Sequence, residues 1–280
     1  MARLTILNPG FNSTIQDMGR LEYRAYGVPH SGAMDQDSSR LANQLLNNQE
    51  SDAVIEMTLS GVEIIFSEPT QIAITGAHCK IIVQHLGYES PCVIAVKTGD
   101  VVQIGAAMDG NFIYLGIKNG FQTEVSLGSR SYYTGILDNS FLKKGNHLLY
   151  DSSGVVSADI FNDMESKWNS SLKAYAGPEF YLLSRKQQEQ LLGTSFTISK
   201  LWNRMAFQLE ETLVHTLSAI KSSPVLPGTI QLTPDGKLIV LMRDAQTTGG
   251  YPRVLQLTEE AVNIISQKRV GEAVDFIIKN

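Results

Sequence analysis

VEIIFSEPTQIAITGAHCKIIVQHLGYESPCVIAVKTGDVVQIGAAMDGNFIYLGI, residues 62–117, reads as six short apolar runs with turns between them. VEIIF, QIAIT, KIIVQHL, CVIAV, DVVQI and FIYLGI are separated by SEP, GAH, GYESP, KTGD and GAAMDGN. Runs at roughly 8–12-residue spacing with Gly, Pro and Asp in the gaps signal a barrel or sandwich, not alternating β and α units. Their Ile and Val content suits a pleated, half-buried surface.

Outward from this stretch the same pattern continues. Near the N-terminus, residues 3–8 alternate, with Leu4 and Ile6 on one side. Toward the C-terminus, SFTIS, MAFQLE, TIQL, KLIVLM, YPRVLQL and VDFIIK are further strands, and Gly177-Pro178-Glu179 launches another, FYLL. Three helices interrupt the strands. Asp35 caps the first, in which Leu41, Ala42, Leu45 and Leu46 recur at helical spacing before Asn47-Asn48 ends it. Arg40 and Asn43 fall off that stripe, toward the Asp17/Arg20 loop or into water. Ser184 caps a second through Gln190, closed by Gly193. Thr258-Glu259-Glu260 starts the last, with acids in its first turn and Lys268-Arg269 in its final one; Ala261, Ile264 and Ile265 face inward. A polar, Ser-rich excursion or linker covers residues 143–171. The economical reading is a mainly β chain of two lobes with a few short helices, residues 1–128 and 129–280, the boundary falling between 125 and 135.

Composition narrows the function classes. A chain of 280 residues, 43% hydrophobic and 18% charged, has the makeup of a soluble globular protein. A net charge of −5 argues against a nucleic-acid partner, which needs a basic face. No run approaches the ~18 apolar residues of a membrane helix, and the N-terminus lacks a signal peptide's pattern. Cys79 and Cys92 are too few for a disulfide framework; two packed, reduced thiols in a cytoplasmic protein is the expectation, with one bridge left open.

Residues 16–56, QDMGRLEYRAYGVPHSGAMDQDSSRLANQLLNNQESDAVIE, concentrate the candidate chemistry. Gln16, Asp17 and Arg20 surround Gly19 in a turn, and the small residues Ser31 and Gly32 let backbone approach closely before Asp35. Ser129-Arg130-Ser131, Asn203-Arg204-Met205 and Asp244 through Thr247-Thr248-Gly249-Gly250-Tyr251 add similar clusters. The planar fork of arginine suits a carboxylate or phosphate, so Arg20, Arg130 and Arg204 are clamp candidates. Pairing with Asp17, Asp35 or Asp244 to brace loops is the alternative. Asp17 and Asp35 can move a proton if burial tunes them, although Asp35 competes as a helix cap. Thr-Thr-Gly-Gly can offer successive N–H groups in an anion nest, or simply turn between two strands. No G-x-x-x-x-G-K-[ST], G-x-S-x-G or His-pair pattern is present, so no P-loop, serine-hydrolase elbow or metal is assigned. Nor is there an A-M-K-M segment of the kind found in biotin carriers.

Q-D-M-G-R at 16–20, G-V-P-H-S-G-A-M-D at 27–35, L-A-N-Q-L-L-N-N at 41–48 and A-V-I-E-M-T-L-S-G at 53–61 resemble the KipA family, also called allophanate hydrolase subunit 2. That family includes the C subunit of 5-oxoprolinase and the carboxyltransferase part of urea carboxylase. P-G-T-I-Q-L-T-P-D-G at 227–236 and D-A-Q-T-T-G-G-Y-P at 244–252 match equally well, L-G-S-R-S at 127–131 and N-R-M-A-F-Q-L-E at 203–210 more loosely. The chain departs from the family at Phe112, where an arginine is usual and a potential anion contact is lost, and at Asn119, Ala206 and Val270.

The resemblance implies cyclophilin-like β-barrel lobes. It also implies a KipI-like (allophanate hydrolase subunit 1) partner and a third, LamB/YcsF-like subunit, acting as an ATP-dependent 5-oxoprolinase that opens the lactam to glutamate. This reading is preferred because the sequence shows no biotin carboxylase or carrier segment. On it, an interfacial site would use Arg20 or Arg204 for the substrate carboxylate and the Thr-Thr-Gly-Gly segment for the lactam oxygen or a phosphate, with Asp17 or Asp35 moving a proton. Gln16, Ser31, Gly32, Arg130 and Tyr251 would contact substrate. ATP is then used by the complex, and biotin enters under the alternative, a carboxyltransferase of a urea carboxylase-type system. A regulatory protein that sequesters a KipI-like kinase inhibitor is the third possibility.

Overall fold

A computed structural model describes residues 1–152, 168 and 171–279. The chain forms two compact units, Met1–Arg20 with Ser31–Ser166, and Leu21–His30 with Lys167–Asn280. Residues 129–152, placed with the second lobe by a boundary at 128/129, therefore group with the first. The ten residues Leu21–His30, encoded inside the motif-rich segment, group with the second.

Eleven strands build the first unit: β1 (Ala2–Asn8), β2 (Asn12–Gln16), β3 (Val54–Thr58), β4 (Glu63–Phe66), β5 (Thr70–Gly76), β6 (Lys80–Val83), β7 (Leu86–Glu89), β8 (Cys92–Val96), β9 (Val101–Ile104), β10 (Phe112–Ile117) and β11 (His147–Tyr150). They lie in two sheets, ordered β11-β1-β4-β9-β6-β7 and β2-β3-β10-β5-β8, with antiparallel pairing between neighbours. The run KIIVQHL is not one strand. Gln84 at φ 55° turns it into a hairpin in which Val83 pairs with Leu86. Alternation does its expected work in β1, where Ala2, Leu4 and Ile6 are buried and Arg3 is exposed.

Helix α1 (Gln36–Leu45) packs on β5 and β10. The contact depends on Gly116, since a Cβ there would stand 3.3 Å from both Ala42 Cβ and Leu46 Cδ1. Asp35 caps α1 by accepting from Ser38 N–H, as its sequence position suggests. Asn43 points neither into water nor toward Asp17. It is buried and donates to the carbonyls of Glu50 and Asp52, tying down the turn after the helix.

Nine strands follow in the second unit: β12 (Ser171–Ala176), β13 (Phe196–Trp202), β14 (Ala206–Thr212), β15 (Ser223–Pro224), β16 (Thr229–Leu232), β17 (Lys237–Leu241), β18 (Thr248–Gly249), β19 (Arg253–Leu257) and β20 (Ala273–Ile278). Seven close into a barrel in the order β12-β19-β16-β17-β14-β13-β20, the parallel β12–β20 pairing completing the ring. Closure leaves these strands without a free edge. Helix α2 (Arg185–Gly193) starts with a full capping box, Ser184 and Gln187 bonding reciprocally. Helix α3 (Glu259–Ser266) buries Ala261, Val262 and Ile265, with Ile264 half-buried.

Three local expectations need correction. FYLL is no strand: Phe180–Leu182 is a 3-10 turn held by i→i+3 bonds from Phe180 N–H to the Gly177 carbonyl and from Leu182 N–H to the Glu179 carbonyl. Lys268 and Arg269 fall beyond α3, because its C-cap is Gln267. Of the polar segment at 143–171, His147–Tyr150 is strand β11 on the edge of β1, Ser171 opens β12, and residues 153–167 and 169–170 lie outside the described residues. Cys79 and Cys92 are free and buried, and burial pushes their thiols up to about 11 and about 12. Among the described residues no helix is long and apolar enough to cross a membrane.

Candidate functional site

In the first unit the candidate residues converge on one carboxylate. Asp17 follows β2 and is buried. Its Oδ1 accepts from Gly19 N–H at 2.8 Å and from the hydroxyls of Ser129 and Ser131, each at 2.6 Å. Its Oδ2 accepts from Arg130 N–H at 2.6 Å. Asp17 N–H in turn donates to Ser131 Oγ at 3.0 Å, and its carbonyl accepts from Ala33 N–H at 2.9 Å. A short polar side chain that bonds backbone two residues on is the usual means of fixing such a turn. Here it also fastens a segment, residues 129–131, more than 110 residues away in sequence.

The loop through Ser31 and Gly32 sits directly on that turn. Gly32 has φ 87°, and a Cβ would lie 2.9 Å from Gly19 N, so no other residue fits without a shift. Ser31 itself is left-handed at φ 58° and fully buried. Its Oγ and the Oε1 of Gln16, also fully buried, have no hydrogen-bond partner among the described residues. Gln16 spends its amide on Thr14 Oγ1 at 3.0 Å. Arg20 is 1% exposed and donates Nη2 to the Ser131 carbonyl at 2.5 Å.

A second buried network lies one step along the loop. Glu56, on β3, accepts from Met34 N–H at 2.6 Å and from the Tyr114 hydroxyl at 2.9 Å. Tyr114 Oη accepts from Asp35 N–H at 2.8 Å. Asp35 then accepts from Ser38 N–H at 3.1 Å and Ser38 Oγ at 2.6 Å. Burial, reinforced by the charges of Glu56 and Asp35, pushes the Tyr114 phenol well above its ordinary range. Glu56 and Tyr114 were not singled out as site residues from the sequence. The signal was there: a glutamate centred in VIEMT, a strand buried at every position.

The remaining candidates belong to the second unit. Arg204 pairs with Asp244 in a fork, Nε to Oδ2 at 2.8 Å and Nη2 to Oδ1 at 3.0 Å, both side chains mostly buried. Asn203 Oδ1 accepts from Met205 and Ala206 N–H, and Asp244 N–H donates to the Arg204 carbonyl. The Thr-Thr-Gly-Gly segment does not form a nest. None of residues 247–250 has a positive φ, and Thr248–Gly249 runs extended against Ser223–Pro224. An anion nest needs alternating right- and left-handed backbone so that successive N–H groups converge; extended backbone points them to opposite sides. Gly250 accepts from Ile220 N–H, and Tyr251 is 39% exposed. Arg24, missed in sequence, reaches this segment, donating Nη2 to the carbonyls of Val225 and Thr247. Burial lowers its pKa, and its Nη1 is buried without a hydrogen-bond partner among the described residues.

Comparison with known proteins gives a consistent picture. The model of the carboxyltransferase domain, subdomains A and B, matches residues 26–278. The chain is 29% identical to the C subunit of 5-oxoprolinase from Escherichia coli, over 98% of this chain and 90% of that one. It is 26% identical to the corresponding Haemophilus influenzae protein at the same coverage. It is also 39% identical to urea amidolyase of Saccharomyces cerevisiae, but over 54% of this chain and 8% of that protein. Among solved structures, TTHA0988 superposes with a TM-score of 0.87 at 22% identity, and the Kluyveromyces lactis urea amidolyase with 0.90 at 24%. The chain spans 55% and 19% of those two chains, which share its fold.

Proposed function

This chain belongs to the carboxyltransferase-domain family, subdomains A and B, and from that premise we propose that it is the C subunit of an ATP-dependent 5-oxoprolinase. The reaction would open 5-oxo-L-proline to L-glutamate together with KipI-like and LamB/YcsF-like subunits. The observation that carries the reading is coverage. Likeness to the two 5-oxoprolinase relatives runs through 98% of the chain and takes in 90% of each of them. A shared domain inside a larger enzyme would match a fraction of its relative, as the urea amidolyase does.

The geometry supports a positioning role within an interfacial site. The Asp17 turn, with Gln16, Arg20, Ser31, Gly32 and Arg130, is preorganised by bonds from three chain segments, and preorganisation is what orients a substrate without cost at the reacting moment. Both carboxylates proposed for proton transfer are already hydrogen-bonded within the chain, Asp17 by four donors and Asp35 by two from Ser38. We therefore place these two as holders of the loop and the proton-moving group on a co-subunit. No step is placed on ATP here, because the chain has no P-loop glycine pattern to cradle phosphates.

The test is glutamate release from 5-oxoproline and ATP, with this chain and its two co-subunits, each omitted in turn. Activity that vanishes without this chain is the expected result; turnover by the other two alone sinks the proposal. The higher identity to urea amidolyase over half the chain favours a second reading, a carboxyltransferase acting on carboxybiotin. Under it the same preparation would be silent with 5-oxoproline and active with a carboxylated biotin donor.

A further inference from the structure

Most arginines among the described residues, Arg24, Arg40 and Arg185 included, have their side chains engaged by the protein. Arg20 bonds the Ser131 carbonyl, Arg204 bonds Asp244, Arg243 bonds Asn263 and Glu259, and Arg253 bonds Glu179. Arg130 differs. Its backbone is locked, N–H to Asp17 Oδ2 at 2.6 Å and carbonyl accepting from Ser140 Oγ at 3.0 Å. Its neighbours on both sides are bolted to the same carboxylate by their hydroxyls. Among the described residues, no hydrogen bond or ion pair engages the guanidinium of this half-buried residue. A long cationic side chain held rigidly at its root and left open at its tip is arranged to meet something outside the chain.

Two uncharged groups at the same turn are also unmatched. Gln16 precedes Asp17, and Ser31 precedes Gly32, which packs against Gly19. Each is fully buried, yet Gln16 Oε1 and Ser31 Oγ lack partners among the described residues. Buried polar atoms are nearly always bonded, so such atoms call for a ligand or a donor that the isolated chain does not supply. Oε1 is an acceptor and suits an N–H; the hydroxyl can donate or accept.

We propose that Arg130 is the carboxylate-binding residue of the substrate site, with Gln16 Oε1 and Ser31 Oγ completing it for a small acid that also carries an amide N–H. This rests on the oxoprolinase reading, and it moves the clamp from Arg204, whose fork is taken by Asp244, and from Arg20, which is 1% exposed and bonded to the Ser131 carbonyl, to Arg130. A planar guanidinium binds a carboxylate through two parallel bonds, which fixes orientation as well as charge.

The test does not depend on turnover. The full chain, assembled with its co-subunits, is treated with phenylglyoxal and the modified arginines are located by mass spectrometry. 5-Oxoproline should protect Arg130, and 2-pyrrolidinone, the same lactam without the carboxylate, should not. Exposed Arg3 is the internal control and should respond to neither. In the turnover assay, Arg130→Ala should raise KM for 5-oxoproline roughly 10- to 100-fold with kcat little changed, the signature of lost ground-state binding. Arg130→Lys should recover part of it. The backbone bonds of residue 130 do not involve its side chain, so both variants should keep the wild-type urea midpoint. Arg130 labelling indifferent to 5-oxoproline, or protection equally strong with acetate, overturns the inference, as does an unchanged KM in Arg130→Ala. Loss of the clamp in an active complex leaves the oxoprolinase reading standing, whereas activity without this chain removes that reading whatever Arg130 does.

Discussion

Asp17 shows how much of a site can hang on one side chain. Four donors from two segments meet its two oxygens, and it sits 7% exposed. Asparagine has nearly the same shape but one acceptor oxygen, and its amide would turn N–H groups toward donors. Hydrogen bonds to a charged group are worth about 1.5–3 kcal/mol each, and a buried donor left unmet costs about 1–3 kcal/mol. Asp17→Asn should therefore lose at least about 3 kcal/mol in urea unfolding, more than Ser129→Ala, which removes one of the four donors and the acceptor of Ser131 N–H. An Asp17→Asn midpoint indistinguishable from wild type would show that the knot is not what holds the turn. The magnitude also bears on function: silence of Asp17→Asn in an activity assay would report a collapsed loop, not a missing proton carrier.

Among elements, what was legible in the sequence was what is decided nearby. The apolar runs of β1, β4, β5, β8, β9 and β10 and the Asp35 and Ser184 caps depend on residues within a turn or two of themselves. The 3-10 turn at Phe180–Leu182 does not. FYLL has strand composition, but Glu179 is gripped by Arg253, 74 residues away, through Nε and Nη2 and through Arg253 N–H, each at 2.9 Å. Glu179 N–H reaches back to the Arg253 carbonyl, and the chain after Pro178 must turn. Likewise Asp17 and Arg20 were visible as a cluster, while the serines that bind them lie over 110 positions on. The Glu179–Arg253 pair carries a pH signature. Chiefly the hydrogen bonds from the Arg253 side chain hold the Glu179 carboxyl below its usual range, with burial opposing, and Arg253 is raised in turn. A lowered folded pKa contributes stability that is full above the unfolded value, ~4.3, and is lost as pH falls through the folded one. Glu179→Gln should thus be less stable than wild type at pH 7, and the gap should close below about pH 4. A gap of constant size from pH 7 to pH 3, measured by urea unfolding, would mean the pair's charge contributes nothing.

At the scale of the molecule, order along the chain and membership of a folded unit come apart. Residues 16–20 and 31–35 build the Asp17 turn in the first unit, while the ten residues between them belong to the second. Their anchor there is Arg24, whose guanidinium meets the carbonyls of Val225 and Thr247 where Ser223–Pro224 pairs with Thr248–Gly249. A carbonyl that loses a charged donor regains water if it is near the surface, so the cost of removing Arg24 is about 1–3 kcal/mol and local. Arg24→Ala should accelerate amide exchange at Val225, whose N–H bonds the Thr247 carbonyl, and at Ile220, bonded to Gly250. The Asp17, Ala33 and Arg130 amides, closer to Arg24 in sequence or fixed by Asp17 itself, should keep their protection. The opposite pattern, with fast exchange at Asp17 and none added at Val225, would assign residues 21–30 to the first unit and undo the division. If the expected pattern holds, a deletion designed from sequence, cutting out residues 21–30 as a loop between two motifs, would damage the barrel unit while sparing the turn that the motifs build.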